Sequence, residues 1–333
     1  MNNGKESQIS KSGTEQFPDF FLVGQMKAGT TALWHFLGEH PEIFMSTPKE
    51  PSFFYCSAGV PRFFGPSFSK EFEYKYTPPI CGQFDAASLK KTALPGMIEV
   101  HGISDVSNYL ALFAHAPPNA LRGEASTIYL YDPRVPTLIA QKAKRAKIII
   151  VLRDPVERAF SQYVHMVRIG REFKTFIEAT ADEPRRIAAG WEHNYHYCNK
   201  SIYRPQIERY LQSFDADAVK IGLYDDLRAD AAAFVRDIYE FLQVDANFKP
   251  NCERRYNVNA TSWSPKREGV RVWLRYLKRR LSGQKIPVKK RSPTTKKMPE
   301  LTAQAREVLR PKFEEDIKWL EEFLRRDLSE WRR

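Results

Sequence analysis

The first candidate for chemistry is a lysine between two glycines in residues 24–31, Gly-Gln-Met-Lys-Ala-Gly-Thr-Thr. Lys27 supplies a positive charge, and a turn bounded by glycines leaves backbone N–H groups that can face an anion. Thr30 and Thr31 follow directly, where the start of a helix would add further N–H groups and a partial positive charge. The pattern therefore predicts a loop that holds a phosphate group.

The sequence on each side of this loop predicts the elements that position it. Residues 20–23, Phe-Phe-Leu-Val, have the length and composition of a buried strand. The apolar residues after the loop are spaced as in a helix packed on a sheet. The usual nucleotide-triphosphate loop ends in Gly-Lys-Ser/Thr, whereas Lys27 precedes Gly29 by two positions. We therefore predict a P-loop-like phosphate loop, with a P-loop kinase as the alternative.

A second candidate is Arg153, which follows the apolar run of residues 147–152, Lys-Ile-Ile-Ile-Val-Leu. Such a run is typical of a central parallel strand. An arginine that leaves the carboxyl end of this strand lies where α/β sheets bind ligands, and its planar guanidinium can grip a phosphate at two points. Asp154 and Pro155 suit a helix start. The alternative is a capped helix that leaves Arg158 and Ser161 in solvent.

Together these two motifs resemble those of sulfotransferases that use 3′-phosphoadenosine-5′-phosphosulfate (PAPS). Gly-x-x-Lys-x-Gly-Thr-Thr is similar to their 5′-phosphosulfate loop, and residues 152–163, Leu-Arg-Asp-Pro-x-x-Arg-x-x-Ser-x-Tyr, to their second nucleotide motif. The resemblance covers most of residues 18–265 and looks nearest to bacterial and heparan-sulfate-type enzymes. It implies an α/β fold with a central, mostly parallel sheet flanked by helices. It also implies donor contacts from Lys27, Ala28, Gly29, Thr30, Thr31, Arg153 and Ser161.

The same resemblance implies a catalytic pair. In the heparan-sulfate-type enzymes a glutamate in a Glu-x-x-Phe-Phe turn is the general base, and Glu50 occupies that position here. Lys27 would then stabilise the departing adenosine 3′,5′-bisphosphate, and no metal is implied. We expect Pro51, Phe53 and Phe54 to shield Glu50 from water.

The sequence departs from that family's pattern at several positions. Ser52 replaces a histidine that often follows the catalytic glutamate, so the group that orients Glu50 is left open, with His101 and His165 as candidates. Ala125 replaces a lysine after Glu124. The non-catalytic alternative for Glu124 is a buried strand carboxylate paired with Arg122. The late nucleotide loop lacks its usual lysines. The charge there could come from Arg254, Arg255 or Lys266.

The charge of the chain is concentrated in one segment. The net charge is +12, but residues 266–297 hold 13 basic residues and one acidic residue, while the rest of the chain holds 39 of each. Overall basicity therefore gives no argument for nucleic-acid binding. Residues 270–281 alternate apolar and basic side chains, which suits an interfacial helix. A peripheral membrane or polyanion contact through residues 266–297 is the hypothesis, and a pure binding module is the rival function.

The remaining sequence predicts one sulfotransferase-like domain over residues 17–333, preceded by a disordered leader at residues 1–16. Residues 55–120, rich in Gly, Pro and aromatic residues, are the predicted acceptor-side loops. Further predicted helices cover residues 106–114, 173–180, 201–213, 231–242 and, as one long amphipathic helix, 311–331. The chain lacks a signal-peptide pattern and a metal-type cysteine spacing, which predicts a cytoplasmic protein. We expect the acceptor to be a small natural product or a carbohydrate. Its identity and the oligomeric state of the protein are left open.

Overall fold

The computed structural model describes residues 16–59, 102–168, 171–253 and 301–332. Their strands are β1 (Phe20–Gly24), β2 (Ile43–Met45), β3 (Leu121–Ala125), β4 (Lys147–Leu152) and β5 (Val219–Leu223). They form one sheet in the order β2-β3-β1-β4-β5, and every pair in it is parallel. The predicted α/β class with a central parallel sheet is confirmed.

Helices connect and cover these strands. Those before β4 are α1 (Thr30–Gly38), α2 (Phe53–Ser57), α3 (Val106–Ala111) and α4 (Val135–Lys142). Those between β4 and β5 are α5 (Pro155–Arg168), α6 (Phe176–Ala181), α7 (Glu183–Ala188) and α8 (Arg204–Ser213). The later ones are α9 (Tyr224–Ala229), α10 (Ala231–Leu242), α11 (Ala303–Leu309) and α12 (Glu314–Leu324).

The continuous apolar composition of β1 and β4 reflects burial on both faces of the sheet. Ile148 and Ile150 pack in one core, whereas Ile149 and Val151 pack in a second core on the opposite face. This second core includes residues of α1 and α10. Because side chains alternate across a strand, a strand that is covered on both sides reads as an unbroken apolar run.

The parallel arrangement brings the carboxyl ends of the central strands to one edge. β1 lies between β3 and β4, with Leu22 opposite both Ala125 and Ile149. The chain leaves β1, β3 and β4 at this edge, so the segments that follow Gly24, Ala125 and Leu152 become neighbours. The two sequence motifs are therefore brought together by the topology of the sheet.

The fold differs from the sequence predictions at several elements. β2 and α2 were not predicted, since three and five residues respectively carry too short a periodic signal. The helices α4, α7 and α9 were not predicted either. The predicted long C-terminal helix is wrong. Pro311 lies in a 3₁₀ turn between α11 and α12, and Arg325 ends α12 in a left-handed conformation with φ 50°. The basic segment 266–297, all but the last residue of the proposed leader, and residues 60–101 of the acceptor-side loops lie outside the described residues.

Candidate active site

The loop between β1 and α1 presents unused backbone donors. Gly29 precedes α1 with φ 84°, and a Cβ there would lie 2.7 Å from a methyl carbon of Leu227. No side chain caps α1, and the amides of Gly29, Thr30 and Thr31 have no acceptor in the described part of the chain. Helix N-termini with open N–H groups attract anions. Three backbone amides at the start of α1 are therefore open to an anion.

Ala28 and Lys27 of the loop differ from these open amides, since Ala28 bonds within the turn and Lys27 is buried among cations. The amide of Ala28 donates to the carbonyl of Gln25 at 3.1 Å, so it closes the turn. Lys27 adopts φ 73°, and burial lowers the pKa of its ammonium group to about 8. The charges of Arg168, Arg153 and Arg158 lower this pKa further, whereas Glu50 raises it. Lys27 thus lies among cations, in a region suited to a polyanionic ligand.

Arg153 lies directly against this loop. Its Nη1 donates to the carbonyl of Lys27 at 3.2 Å, and its Nη2 donates to Glu157 Oε2 at 2.9 Å. The guanidinium also stacks over Tyr224, 4.7 Å from the ring centroid. Its Nε is buried without a partner in the described part of the chain. A buried donor of this kind suggests an acceptor from a ligand.

The helix after Arg153 begins as predicted but does not leave its polar residues in solvent. The amide of Glu157 donates to Asp154 Oδ1 at 2.8 Å, which caps α5. Arg158 and Ser161 are both buried, so the alternative of a solvated pair is wrong. Arg158 donates to Gln162 Oε1 at 2.7 Å and to the carbonyl of Tyr197, and thereby ties α5 to the loop before α8.

Glu50 lies near the same edge of the sheet. Lys49 Nζ lies 2.5 Å from Glu50 Oε1, and Thr127 Oγ1 donates to Oε2 at 3.2 Å. Pro51, Phe53 and Phe54 pack inward instead of over the carboxylate, whose side chain remains 44% exposed. The predicted shielding is therefore wrong, because these apolar neighbours belong to the core.

The backbone turn that carries Glu50 is unusual and firmly held. Glu50 and Ser52 have φ 63° and 53°, which is uncommon for residues other than glycine. The amide of Glu50 donates to the carbonyl of Ala125 at 2.9 Å, and the amide of Ser52 donates to Ser126 Oγ at 3.0 Å. Backbone of this kind persists where surrounding contacts fix it, and such positions cluster at functional sites.

The buried residue Glu124 holds the groups that contact this turn. Its buried carboxylate accepts hydrogen bonds from Ser126 Oγ at 2.5 Å, from Tyr109 Oη at 2.5 Å and from Tyr129 Oη at 3.2 Å. Tyr129 Oη in turn accepts from the amide of Phe54 at 3.1 Å. Burial raises the pKa of Glu124 to about 7, against these three hydrogen bonds. The predicted burial of Glu124 is confirmed. Its predicted partner Arg122 is wrong, because Arg122 donates to Asp19 and Gln16.

Of the two histidine candidates for orienting Glu50, the structure describes only His165. The pKa of His165 is lowered to about 4, mainly by burial and then by the charges of Lys27 and two arginines. The charge of Glu50 raises it. His165 therefore lies within the electrostatic reach of both predicted catalytic residues. His101 lies outside the described residues, as do Arg254, Arg255 and Lys266.

Sequence reasoning missed the two groups that hold Glu50. Lys49 is adjacent in sequence, and Thr127 follows the end of β3 by two residues. Proximity to a strand end was the available signal for Thr127. For Lys49, a charged neighbour in sequence gives no indication of which way its side chain turns.

The site as a whole combines an open anion loop, a group of cations around it (Lys27, Arg153, Arg158 and Arg168) and the Glu50 carboxylate, which can accept a proton. No group of three or more His, Cys, Asp or Glu side chains with the arrangement of a metal site occurs among the described residues. The chemistry that this arrangement supports is transfer of an anionic group from a phosphate-bearing donor to a nucleophile beside Glu50.

Comparison with known proteins agrees with this group-transfer chemistry. Residues 17–321 match the family described as sulfotransferase domain. The chain is 29% identical to a sulfotransferase of Alicyclobacillus acidocaldarius of known crystal structure, with a TM-score of 0.69 over 96% of this chain and 100% of that one.

Curated relatives are more distant and longer. A bovine bifunctional heparan sulfate N-deacetylase/N-sulfotransferase 2 is 24% identical over 265 residues, which are 77% of this chain and 25% of that protein. Human heparan sulfate glucosamine 3-O-sulfotransferase 3B1 is 24% identical over 236 residues, 71% of this chain and 48% of that protein. The chain thus spans about a quarter of the length of the first relative and about half of the second.

No helix in the described ranges is long and apolar enough to cross a membrane. The family match covers more than nine-tenths of the chain, and the parallel sheet agrees with the structural relative. The chain is therefore a member of the sulfotransferase domain family.

Proposed function

We propose that this protein transfers a sulfuryl group from PAPS to a hydroxyl of a small natural product or carbohydrate, with Glu50 as the general base and Lys27 stabilising the leaving group. An amine is the alternative nucleophile. The observation that carries the proposal is the meeting of the Lys27 loop, Arg153 and the Glu50 turn at one edge of the sheet. Each lies just beyond the carboxyl ends of the parallel strands, where such sheets bind ligands.

The donor would be held mainly by charge and by the start of α1. The amides of Gly29, Thr30 and Thr31 would receive the 5′-phosphate, with Ala28 keeping the turn closed. Arg153 has an Nε without a partner in the described part of the chain and would contact the nucleotide's phosphate, with Ser161 of α5 as a further donor. Arg254 and Arg255 remain our candidates for the late nucleotide loop.

Glu50 and Lys27 would divide the work of the transfer. Glu50 accepts the proton of the acceptor hydroxyl as the new S–O bond forms, while the S–O bond to the phosphate oxygen breaks. Lys27 neutralises the negative charge that grows on that phosphate oxygen. Sulfuryl transfer resembles phosphoryl transfer in needing positioning and electrostatic stabilisation more than covalent help. We propose no metal in this step.

Two hydrogen-bonding groups support the assignment of Glu50. Lys49 and Thr127 each occupy one carboxylate oxygen, and each oxygen retains a lone pair that can take a proton. The left-handed turn and the Glu124 network fix the position of the residue. A base must be within hydrogen-bond reach of the proton that it removes, so a fixed carboxylate favours catalysis.

The acceptor class rests on the relatives. Two of them are named for N-sulfation and 3-O-sulfation of heparan sulfate, and we extend to this chain only the broader class of carbohydrate or small-molecule acceptors. We further propose a cytoplasmic location, no nucleic-acid partner, and a peripheral contact with an anionic membrane or polyanion through residues 266–297.

The function is tested first by ligand-induced stabilisation. Adenosine 3′,5′-bisphosphate should raise the Tm, and ATP with magnesium should leave it unchanged, because Lys27 is displaced from the position used in triphosphate loops. PAPS with labelled sulfur should then yield a labelled product in a panel of hydroxyl and amine acceptors. Stabilisation by ATP with magnesium alone would favour the kinase alternative and exclude our proposal.

A further inference from the structure

Lys200 is a buried lysine that the mechanism above does not use. It lies in the short 3₁₀ turn Asn199–Ser201, and its side chain is 1% exposed. Its ammonium group lies 5.3 Å from the ring centroid of Tyr131 but has no hydrogen-bond acceptor and no ion-pair partner in the described parts of the chain. An unpaired buried charge destabilises a fold, so its presence calls for a functional explanation.

The backbone of Lys200 is fixed against the phosphate loop. Its carbonyl accepts a hydrogen bond from Gln25 Nε2 at 2.7 Å and from Gln206 Nε2 at 3.1 Å. Gln25 Oε1 accepts in turn from the amide of Met26 at 2.6 Å, next to Lys27. The location of Lys200 is therefore determined by the same loop that holds the predicted donor site.

The neighbouring helix fixes the turn from its other side. Arg158 Nε donates to Ser201 Oγ at 2.5 Å, and Ser201 Oγ donates to the carbonyl of Pro155 at 2.9 Å. Tyr131 Oη donates to Asn199 Oδ1 at 2.6 Å and lies 2.8 Å from His196 Nδ1. The ring next to the ammonium group is thus held in place by its hydroxyl.

The charged groups that act on Lys200 include Glu50. Burial lowers the pKa of Lys200 to about 7, and Arg158 lowers it further, while Glu192 and Glu50 raise it. After burial, the charge of Lys200 lowers the pKa of both His193 and His196. Lys200, in the segment that joins α7 to α8, is therefore within the electrostatic reach of Glu50.

Neither nearby carboxylate pairs with Lys200. Glu192 is engaged by Arg171 at 2.9 Å and by Asn194 at 2.5 Å. Glu50 is engaged by Lys49 and Thr127. Both acids keep their own partners, which leaves the ammonium group of Lys200 available for an anion that the protein itself does not supply.

We propose that Lys200 is a specificity residue that binds an acid group, a carboxylate or a sulfate ester, carried by the acceptor close to its reacting hydroxyl. This inference rests on the proposed function and adds the chemical class of the acceptor. An acid group would complete the missing ion pair in a site that is already shielded from water, where charge-assisted hydrogen bonds are strong. A neutral acceptor would leave the lysine unpaired.

The test compares two probes that differ at one group. We would titrate 4-nitrophenyl β-D-glucuronide and 4-nitrophenyl β-D-glucoside into protein saturated with adenosine 3′,5′-bisphosphate. The wild type should bind the glucuronide roughly tenfold more tightly or better, the size expected for a hydrogen bond between charged groups. Lys200→Met should abolish this preference. Lys220→Met should retain it, because Lys220 is a lysine of β5 that already pairs with Asp237.

Inorganic sulfate provides a second arm that does not depend on the sugar. At constant ionic strength, sulfate should raise the Tm of the nucleotide-saturated wild type more than that of Lys200→Met. Equal glycoside binding by the wild type, or no glycoside binding together with equal sulfate responses in the two proteins, overturns the proposal. A loss of affinity for PAPS alone, with the acid preference retained, would also overturn it by assigning Lys200 to the donor.

Folding and the proposed function are controlled separately. Methionine replaces the aliphatic stem of lysine without its charge. An unchanged far-ultraviolet circular dichroism spectrum and a cooperative unfolding transition show that the variant is folded, and Lys200→Gln serves if it is not. If the wild type neither binds the bisphosphate nor transfers label from PAPS, the proposed function fails. If it does both but Lys200→Met keeps the acid preference, only this inference fails.

Discussion

The Arg153 guanidinium donates a hydrogen bond to the main-chain carbonyl of Lys27 at 3.2 Å. This contact joins two motifs that are 126 positions apart in the sequence. It fixes the loop from the neighbouring strand and leaves the Nε of Arg153 without a partner in the described part of the chain. Arg153 therefore serves the loop through one edge of its guanidinium and retains a donor for a ligand.

Replacing Arg153 by alanine should weaken the binding of adenosine 3′,5′-bisphosphate more than tenfold. The reason is the loss of a charge-assisted contact to phosphate together with the brace on the Lys27 loop. Titration calorimetry measures this change, and Arg236→Ala, which alters an exposed arginine on α10, is the matched control. Unchanged affinity in Arg153→Ala would remove Arg153 from the nucleotide site.

Nucleotide affinity should fall as the pH rises above about 8. Lys27 in the free protein has a pKa of about 8, so it loses its charge above that value, while a bound phosphate would stabilise the charged form and raise the pKa. Binding then requires proton uptake, which becomes unfavourable at higher pH. Above about pH 7.5 the phosphates, whose second pKa is about 6, are almost completely ionised and add little dependence of their own.

The Lys27→Met variant isolates this effect. Its affinity should be lower than that of the wild type at pH 7 and nearly constant up to pH 9.5. Calorimetric titrations at four pH values would show the two profiles converging. Parallel profiles in the two proteins would mean that a different group controls the pH dependence.

Glu124 should make the fold less stable at neutral pH than in mild acid. Its pKa rises from 4.5 in the unfolded chain to about 7 in the fold, so its stabilising contribution is complete below 4.5 and is lost as the pH rises through 7. The difference corresponds to at most about 3 kcal/mol. Glu124→Gln removes this titration, and its Tm should decline less than that of the wild type between pH 5 and 8. Equal declines would contradict the assigned pKa.

The sequence predicted the parts of the site that have a local signal. The apolar runs of β1 and β4 and the glycine-bounded loop specify buried strands and an anion turn within a few residues. The hydroxyls around Glu124 have no such signal, because Tyr109 meets it only after α3 packs against the sheet, and Ser126 and Tyr129 meet it only through the turn that follows β3. The exposure of Glu50 was mispredicted for the same reason, since sequence does not reveal which way Phe53 and Phe54 turn.

If residues 266–297 contact a polyanion, retention of the protein on heparin should decrease steeply with salt. Replacing Lys289, Lys290 and Arg291 with glutamine should lower both the retention and its salt dependence, because fewer charges are neutralised. Elution from heparin and sedimentation with anionic vesicles provide the measurements. Absence of retention on both materials at low salt would reject this hypothesis.

The general-base role of Glu50 is the central claim, and the kcat of a Glu50 variant is the measurement that tests this role most directly. With an acceptor identified from the labelled panel, Glu50→Gln should lower kcat by roughly a hundredfold or more, because it keeps the shape but cannot accept the proton. Affinity for adenosine bisphosphate should barely change, and Glu240→Gln, altering an exposed glutamate of α10, should behave as the wild type. A Glu50→Gln protein with near-normal kcat would contradict the account, and Glu124, His101 and His165 would be the next residues to replace.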